Sequence, residues 1–311
     1  MKIIEKEIQI SDTSALTKNS VFFDIETTGF SRQSARIYLI GTLEIGKENN
    51  IFRQYLTETQ ADEKVLLKNF LEQIKKKDLL ISFNGESFDL PFIKARCEKY
   101  KIDCKILDEI QSLDLYKEIK AKSLFVSLEN YKLKTIENYM GIYREDLFSG
   151  GDLISLYYEY ENGDKNLENI LLLHNEEDIL NMPNLYGFLD HLEKTNTIRV
   201  AGQSFTIEKI SLKKNKLELT GLSTIPLAFL NSQNFKLQIK DKSFFFESLV
   251  KSGPYDEETT CIYLEKNGMD LICNYNIPCP DEIYLLKHDK TQLNLNIKTY
   301  FEKILTEIFA D

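Results

Sequence analysis

Apolar and polar positions divide this chain into two regimes. Between residues 21 and 44 the pattern predicts two strands: an apolar run ending at Ile25, and a second run over 37–43. A polar turn, 29–34, joins them. A third strand is predicted near 51–56. Val65, Leu66, Phe70, Leu71 and Ile74 then space a helix over 62–76, and 79–83 forms a further buried strand. Residues 90–190 read as mainly helical, with breaks near Gly141, Gly150 and Gly151. The last helix there starts near Asn166, and Pro183 should kink or end it. After Thr195 the pattern changes to short alternating runs at 205–212, 217–219, 235–239, 244–250, 261–264 and 283–286, and an amphipathic helix over 293–309 closes the chain. The expected fold class is α/β, a mixed sheet flanked by helices over 1–195, with a smaller β-rich domain over 196–311 that ends in a helix.

Composition is that of a globular protein, 42% hydrophobic and 28% charged, and no apolar run approaches the roughly 20 residues of a membrane span. A cytoplasmic location without membrane attachment is the expectation. Five cysteines at irregular spacings read as reduced and mostly buried, and three histidines leave little material for a zinc site. The formal net charge of -10 argues against gripping nucleic acid by general electrostatics. The excess lies in residues 1–195, with 25 basic and 34 acidic residues against 14 and 15 in the remainder. A carboxylate site would contribute to it, and bound cations would reverse the local field.

Three motifs carry candidate chemistry. In the strand ending at Thr27, alternation puts Phe22, Asp24 and Glu26 on one face and Phe23 and Ile25 on the other, so two carboxylates point the same way. Ser82 to Phe92 places Asp89 where a strand ends and a helix opens, a position that also suits a helix cap. On the later helix, Leu167, Ile170, Leu171, His174, Asp178 and Met182 share one stripe, which stacks a histidine and an acid on adjacent turns. Glu176 and Glu177 fall off the stripe and are expected in solvent. Singly, each motif has an ordinary explanation: a hydrated strand end, a cap, an intrahelical pair. Converging, Asp24, Glu26, Asp89 and Asp178 could not all stay ionised without cations. Two divalent ions about 4 Å apart would balance them and clamp a phosphodiester, with His174 placed to take a proton from water.

With these motifs the chain resembles the DEDD exonucleases of the ribonuclease H-like superfamily, and more closely the YprB-like branch. The resemblance rests on Phe23 to Gly29, on Asn84 to Phe92 and on His174 to Asp178. It rests also on Leu133 to Glu137, leading to Gly141-Ile142 and Arg144 to Asp146, and it covers about residues 18–190. It implies a ribonuclease H-like sheet, two Mg²⁺ or Mn²⁺ ions held by Asp24, Glu26, Asp89 and Asp178, and removal of nucleotides from the 3′ end of single-stranded DNA or RNA. Thr27, Thr28 and Asn84 match positions beside the terminal nucleotide. His174 precedes Asp178 by four residues, the spacing of the family's tyrosine subtype, whereas in the histidine subtype the base precedes the acid by five. A second reading keeps the acids for structural reasons, in a module that binds nucleic acid or protein without cutting. Lysines 209, 213, 214 and 216, and 236, 240 and 242, lie near two turns of the second region, where solvated turns are the simpler reading. Phe244, Phe245 and Phe246 read as core.

Overall fold

The computed structural model describes residues 1–10, 19–46 and 49–309. These group into two compact units, Met1–Lys120 with Leu128–Leu189, and Ala121–Ser127 with Asp190–Asp311. Residues 121–127 thus belong to the second unit, and the division falls at 189/190 where the sequence pattern suggested 195/196.

The first unit is built on a six-stranded mixed sheet. Its strands are β1 (Lys2–Ile8), β2 (Ser20–Thr27), β3 (Ile37–Glu44), β4 (Asn50–Leu56), β5 (Leu79–Ser82) and β6 (Gln111–Asp114), in the order β1-β4-β3-β2-β5-β6. β1, β4, β3 and β2 pair antiparallel, and β5 and β6 add parallel to β2, which makes β2 a central strand at the change of direction. The alternation of Val21, Phe23 and Ile25 is realised: these pack with α1 (Glu63–Ile74) and α2 (Asp89–Tyr100) on one face. Short helices α3 (Ile106–Glu109), α4 (Leu115–Lys122) and α5 (Leu133–Tyr139) follow. On the other face Tyr38, Leu39 and Leu56 pack with Leu153, Tyr157 and Tyr160 of α6 (Gly150–Glu161) and Leu171 of α7 (Glu168–Asn196).

α7 runs through Pro183 without ending there. Proline removes one backbone hydrogen bond, and here Ile179, Met182, Leu185 and Phe188 are buried on both sides of it, so packing outweighs that loss. β6 and the amino-terminal β1 are additional to the elements the hydrophobic pattern predicts.

The second unit contains an antiparallel sheet of β7 (Thr197–Val200), β8 (Gln203–Lys213), β9 (Lys216–Ser223), β10 (Leu227–Asn231), β11 (Phe235–Lys240) and β12 (Ser243–Leu249). A smaller sheet joins β13 (Lys251–Pro254), β14 (Thr260–Glu265), β15 (Ile283–His288) and β16 (Thr291–Gln292), and α8 (Asn294–Phe309) closes the unit. Phe244 and Phe246 are buried against Tyr300 and Phe301 of α8, which makes them core. No helix among the described residues is long and apolar enough to cross a membrane.

Candidate metal centre

Asp24 and Glu26 lie near the end of β2 on the face opposite Val21, Phe23 and Ile25, as strand alternation requires. α7 brings His174 and Asp178 to the same place. His174 Nε2 lies 3.6 Å from Glu26 Oε1 and 3.5 Å from Asp178 Oδ2, and both His174 and Glu26 are buried. Asp89 opens α2, but its carboxylate does not cap that helix. It crosses to β2, where Oδ1 accepts the Ile25 amide at 3.1 Å, which draws Asp89 toward the strand that carries Asp24 and Glu26.

The electrostatics show that the four acids share one environment. Burial, then the charges of Asp178, Asp89 and Glu26, push Asp24 well above the usual carboxylate range, against a hydrogen bond from Asn175. Glu26 is raised likewise, by burial and then by Asp178, Asp89 and Asp146. Asp89 is pushed up to about 7 by burial, although the Ile25 amide and its own amide oppose this.

Asp24, His174 and Asp178 are each held by a polar side chain. Asn175 Nδ2 donates to Asp24 Oδ2 at 3.0 Å, and Asn175 Oδ1 accepts from Gln54 Nε2 at 3.1 Å. Asn175 fits because residue 41 on β3 is glycine: a Cβ there would stand 2.1 Å from Asn175 Oδ1. His174 Nδ1 is 2.7 Å from Asp146 Oδ2, and Asp146 in turn accepts from Lys134 Nζ at 2.9 Å and from the Phe148 amide at 3.0 Å. These partners and His174 hold Asp146 below the ordinary range in spite of its burial. Arg144 forks onto Glu137, Nε to Oε2 at 2.5 Å and Nη2 to Oε1 at 2.7 Å, and its remaining nitrogen, Nη1, donates to Asp178 Oδ1.

Glu177 is not the solvated side chain that its helical position suggested. It accepts the amides of Glu145 at 2.8 Å and Asp146 at 3.0 Å, so α7 fixes the loop that supplies Arg144 and Asp146.

The cluster opens to a cleft of about 610 Å³ lined by Asp24, Asn84, Tyr116, Lys132, His174 and Asp178, among others. Asn84 sits there at φ +63°, a left-handed conformation that asparagine tolerates. Thr27 and Thr28 are buried and do not line it. The Thr27 hydroxyl donates to Gly29 O at 2.9 Å and the Thr28 hydroxyl accepts the Arg36 amide at 2.9 Å, so both shape the turn after β2.

An RNase_H superfamily profile matches residues 21–190, the span that carries β2, α2 and most of α7. This chain belongs to the RNase H superfamily. Among RNase H superfamily relatives, YprB of Bacillus subtilis (strain 168) is 28% identical over 172 residues, 54% of this chain and 41% of YprB. The chain therefore spans less than half the length of that relative. A DNA polymerase of Thermococcus hydrothermalis is 35% identical over 89 residues, 26% of this chain and 5% of the polymerase. A solved family B DNA polymerase from Pyrobaculum calidifontis aligns with 56% of this chain and 24% of its own, at 14% identity and a TM-score of 0.45.

Asn175, Glu137, Arg144 and Asp146 lie in segments that carry the family resemblance, but their bonds to the acids and the part of Gln54 were not read from the sequence. One signal was present: an isolated glycine, Gly41, inside the apolar run of β3 marks close approach by another group.

Proposed function

We propose that this protein is a metal-dependent nuclease, a 3′-to-5′ exonuclease acting on single-stranded DNA or RNA. The observation that carries the proposal is an excess of carboxylates over cations in one cluster. Asp24, Glu26, Asp89, Asp178, Asp146 and Glu137 are six carboxylates in one cluster, and Arg144 and Lys134 are the cations bonded to them, so ionising all six acids would leave four negative charges to balance. Two divalent cations, Mg²⁺ or Mn²⁺, would supply the balancing charge, and oxygen-rich donors suit both metals.

Asp24, Glu26, Asp89 and Asp178 would hold the metal, with His174 beside Glu26 and Asp178. Bound there, it would polarise a phosphodiester and generate a nucleophile from water. The chain's own residues orient and shield. Asn175 fixes the face that Asp24 presents, Arg144 keeps one oxygen of Asp178 engaged so that the other turns inward, and Asn84 and Lys132 line the cleft where a nucleotide strand would lie. Polymerase relatives and the superfamily support nucleic acid as the partner. Five free cysteines fit action in a reducing compartment, the cytoplasm.

Degradation of oligonucleotides labelled at either end, with Mg²⁺, Mn²⁺ or chelator, tests this. Stepwise shortening from the 3′ end that chelator abolishes is the expected result. Metal-independent cutting, or none in either metal, overturns it.

A further inference from the structure

The imidazole of His174 is more than nine-tenths buried and lines the cleft beside the acid cluster. Its Nε2 is aimed between two carboxylate oxygens, 3.6 Å from Glu26 Oε1 and 3.5 Å from Asp178 Oδ2, and the three donor atoms lie within 4.8 Å of one another. His174 and Asp178 line the cleft, so a cation entering there can reach the donor atoms. Donors about 2.1 Å from a shared cation, at angles of roughly 90° to 120°, stand about 3.0–3.6 Å apart. The two nitrogen-to-oxygen separations fall in that interval.

We infer that His174 is itself a ligand of the divalent cation, through Nε2 and together with Glu26 and Asp178, and that Asp146 is the positioning residue that aims it. The inference rests on the metal-dependent reading above and adds a nitrogen to a ligand set otherwise made of oxygen. Two further features support it. Asp146, fixed by Lys134 and the Phe148 amide, accepts the Nδ1 proton, which leaves the lone pair on Nε2, and a carboxylate behind a histidine is the usual outer partner of a metal-bound imidazole. His174 and Asp178 also stand four residues apart on α7, so adjacent turns present nitrogen and oxygen to one point.

One consequence concerns the proton. Nε2 has a single lone pair, and the lone pair that binds a cation cannot accept a proton from water. The general-base role expected from the sequence is therefore withdrawn from His174. A second consequence concerns the metal: an imidazole ligand favours Mn²⁺ over Mg²⁺, whereas an all-oxygen set suits both.

Pulsed electron paramagnetic resonance of the full chain with Mn²⁺ decides the matter, because it reads ligand nuclei directly. Wild-type protein should show ¹⁴N modulation from an imidazole that changes to the ¹⁵N pattern when histidine is labelled. His174→Gln should lose the modulation and bind Mn²⁺ about 10-fold or more weakly, and Asp146→Asn should keep the nitrogen signal while binding Mn²⁺ about 10- to 100-fold more weakly. The labelled wild-type comparison stands even if His174→Gln does not fold. Mn²⁺ bound with no nitrogen coupling, or coupling that survives His174→Gln, overturns the inference and leaves the nuclease reading in place. Absence of Mn²⁺ binding overturns both.

Discussion

The two faces of the mixed sheet treat buried charge in opposite ways. On the face covered by α1 and α2, Arg96 forks onto Glu63 at 2.7 and 2.6 Å. Tyr100 and the Ile37 amide occupy the same carboxylate at 2.8 Å each, and both charged side chains are sealed from solvent. On the face covered by α7, Arg144 forks onto the equally buried Glu137 but turns its remaining nitrogen to Asp178, beside three more acids. One cluster is closed and neutral. The other holds four more carboxylates than cations, and the same guanidinium geometry that locks a scaffold in the first case aims a cleft residue in the second.

The sharpest way to break this comparison is to remove one charge from each face. Asp24→Asn should lower nuclease activity by about 10³-fold or more. It should leave the melting temperature of chelated protein at pH 7 unchanged or raised, since it relieves repulsion; a marked loss of stability would erase the distinction. Arg96→Met should do the reverse. It strands a buried glutamate, at a cost of ~3–5 kcal/mol in urea unfolding, with Mn²⁺ affinity per folded molecule unaltered. A smaller effect follows from Gly41→Ala, whose methyl group would displace Asn175 and release Asp24. Calorimetry should show Mn²⁺ affinity reduced by about 10- to 100-fold.

The smallest effect is on pH. The folded, chelated protein keeps a proton on Asp89 up to about pH 7, whereas the unfolded chain gives it up near 3.8. The unfolded state binds fewer protons in that window, so metal-free stability falls as pH rises through it. Mn²⁺ needs the ionised carboxylates and opposes the fall. Its stabilising shift in melting temperature should grow from pH 5 to pH 8, and a shift independent of pH would count against the shared acid cluster.

Local periodicity made part of this legible. Alternation along β2 placed Asp24 and Glu26 together, and helical spacing placed His174 and Asp178 on one stripe, because both patterns follow from backbone geometry alone. In the second unit Phe244 and Phe246 are core as read, whereas Phe245 between them, also read as core, is only half-buried because strand alternation turns it to the other face. Asp89 was located correctly as an element start, but its carboxylate reaches 64 residues back to the Ile25 amide instead of capping its own helix. The bonds of His174 to Asp146 and of Asp178 to Arg144, across 28 and 34 residues, have no periodic signature, since a loop supplies one partner of each. β1 was hidden for a related reason: it is an edge strand of mostly exposed residues, so burial leaves little hydrophobic trace in its sequence.

Asp24 and Asp178 are separated by most of the first unit, and only docking of α7 against β2 unites them. Closing so long a loop costs chain entropy that only the packed unit offsets. A cation that requires both ends can therefore grip only the finished protein, and it would act as a latch: slow to matter while the chain is collapsing, then retarding its escape from the native state.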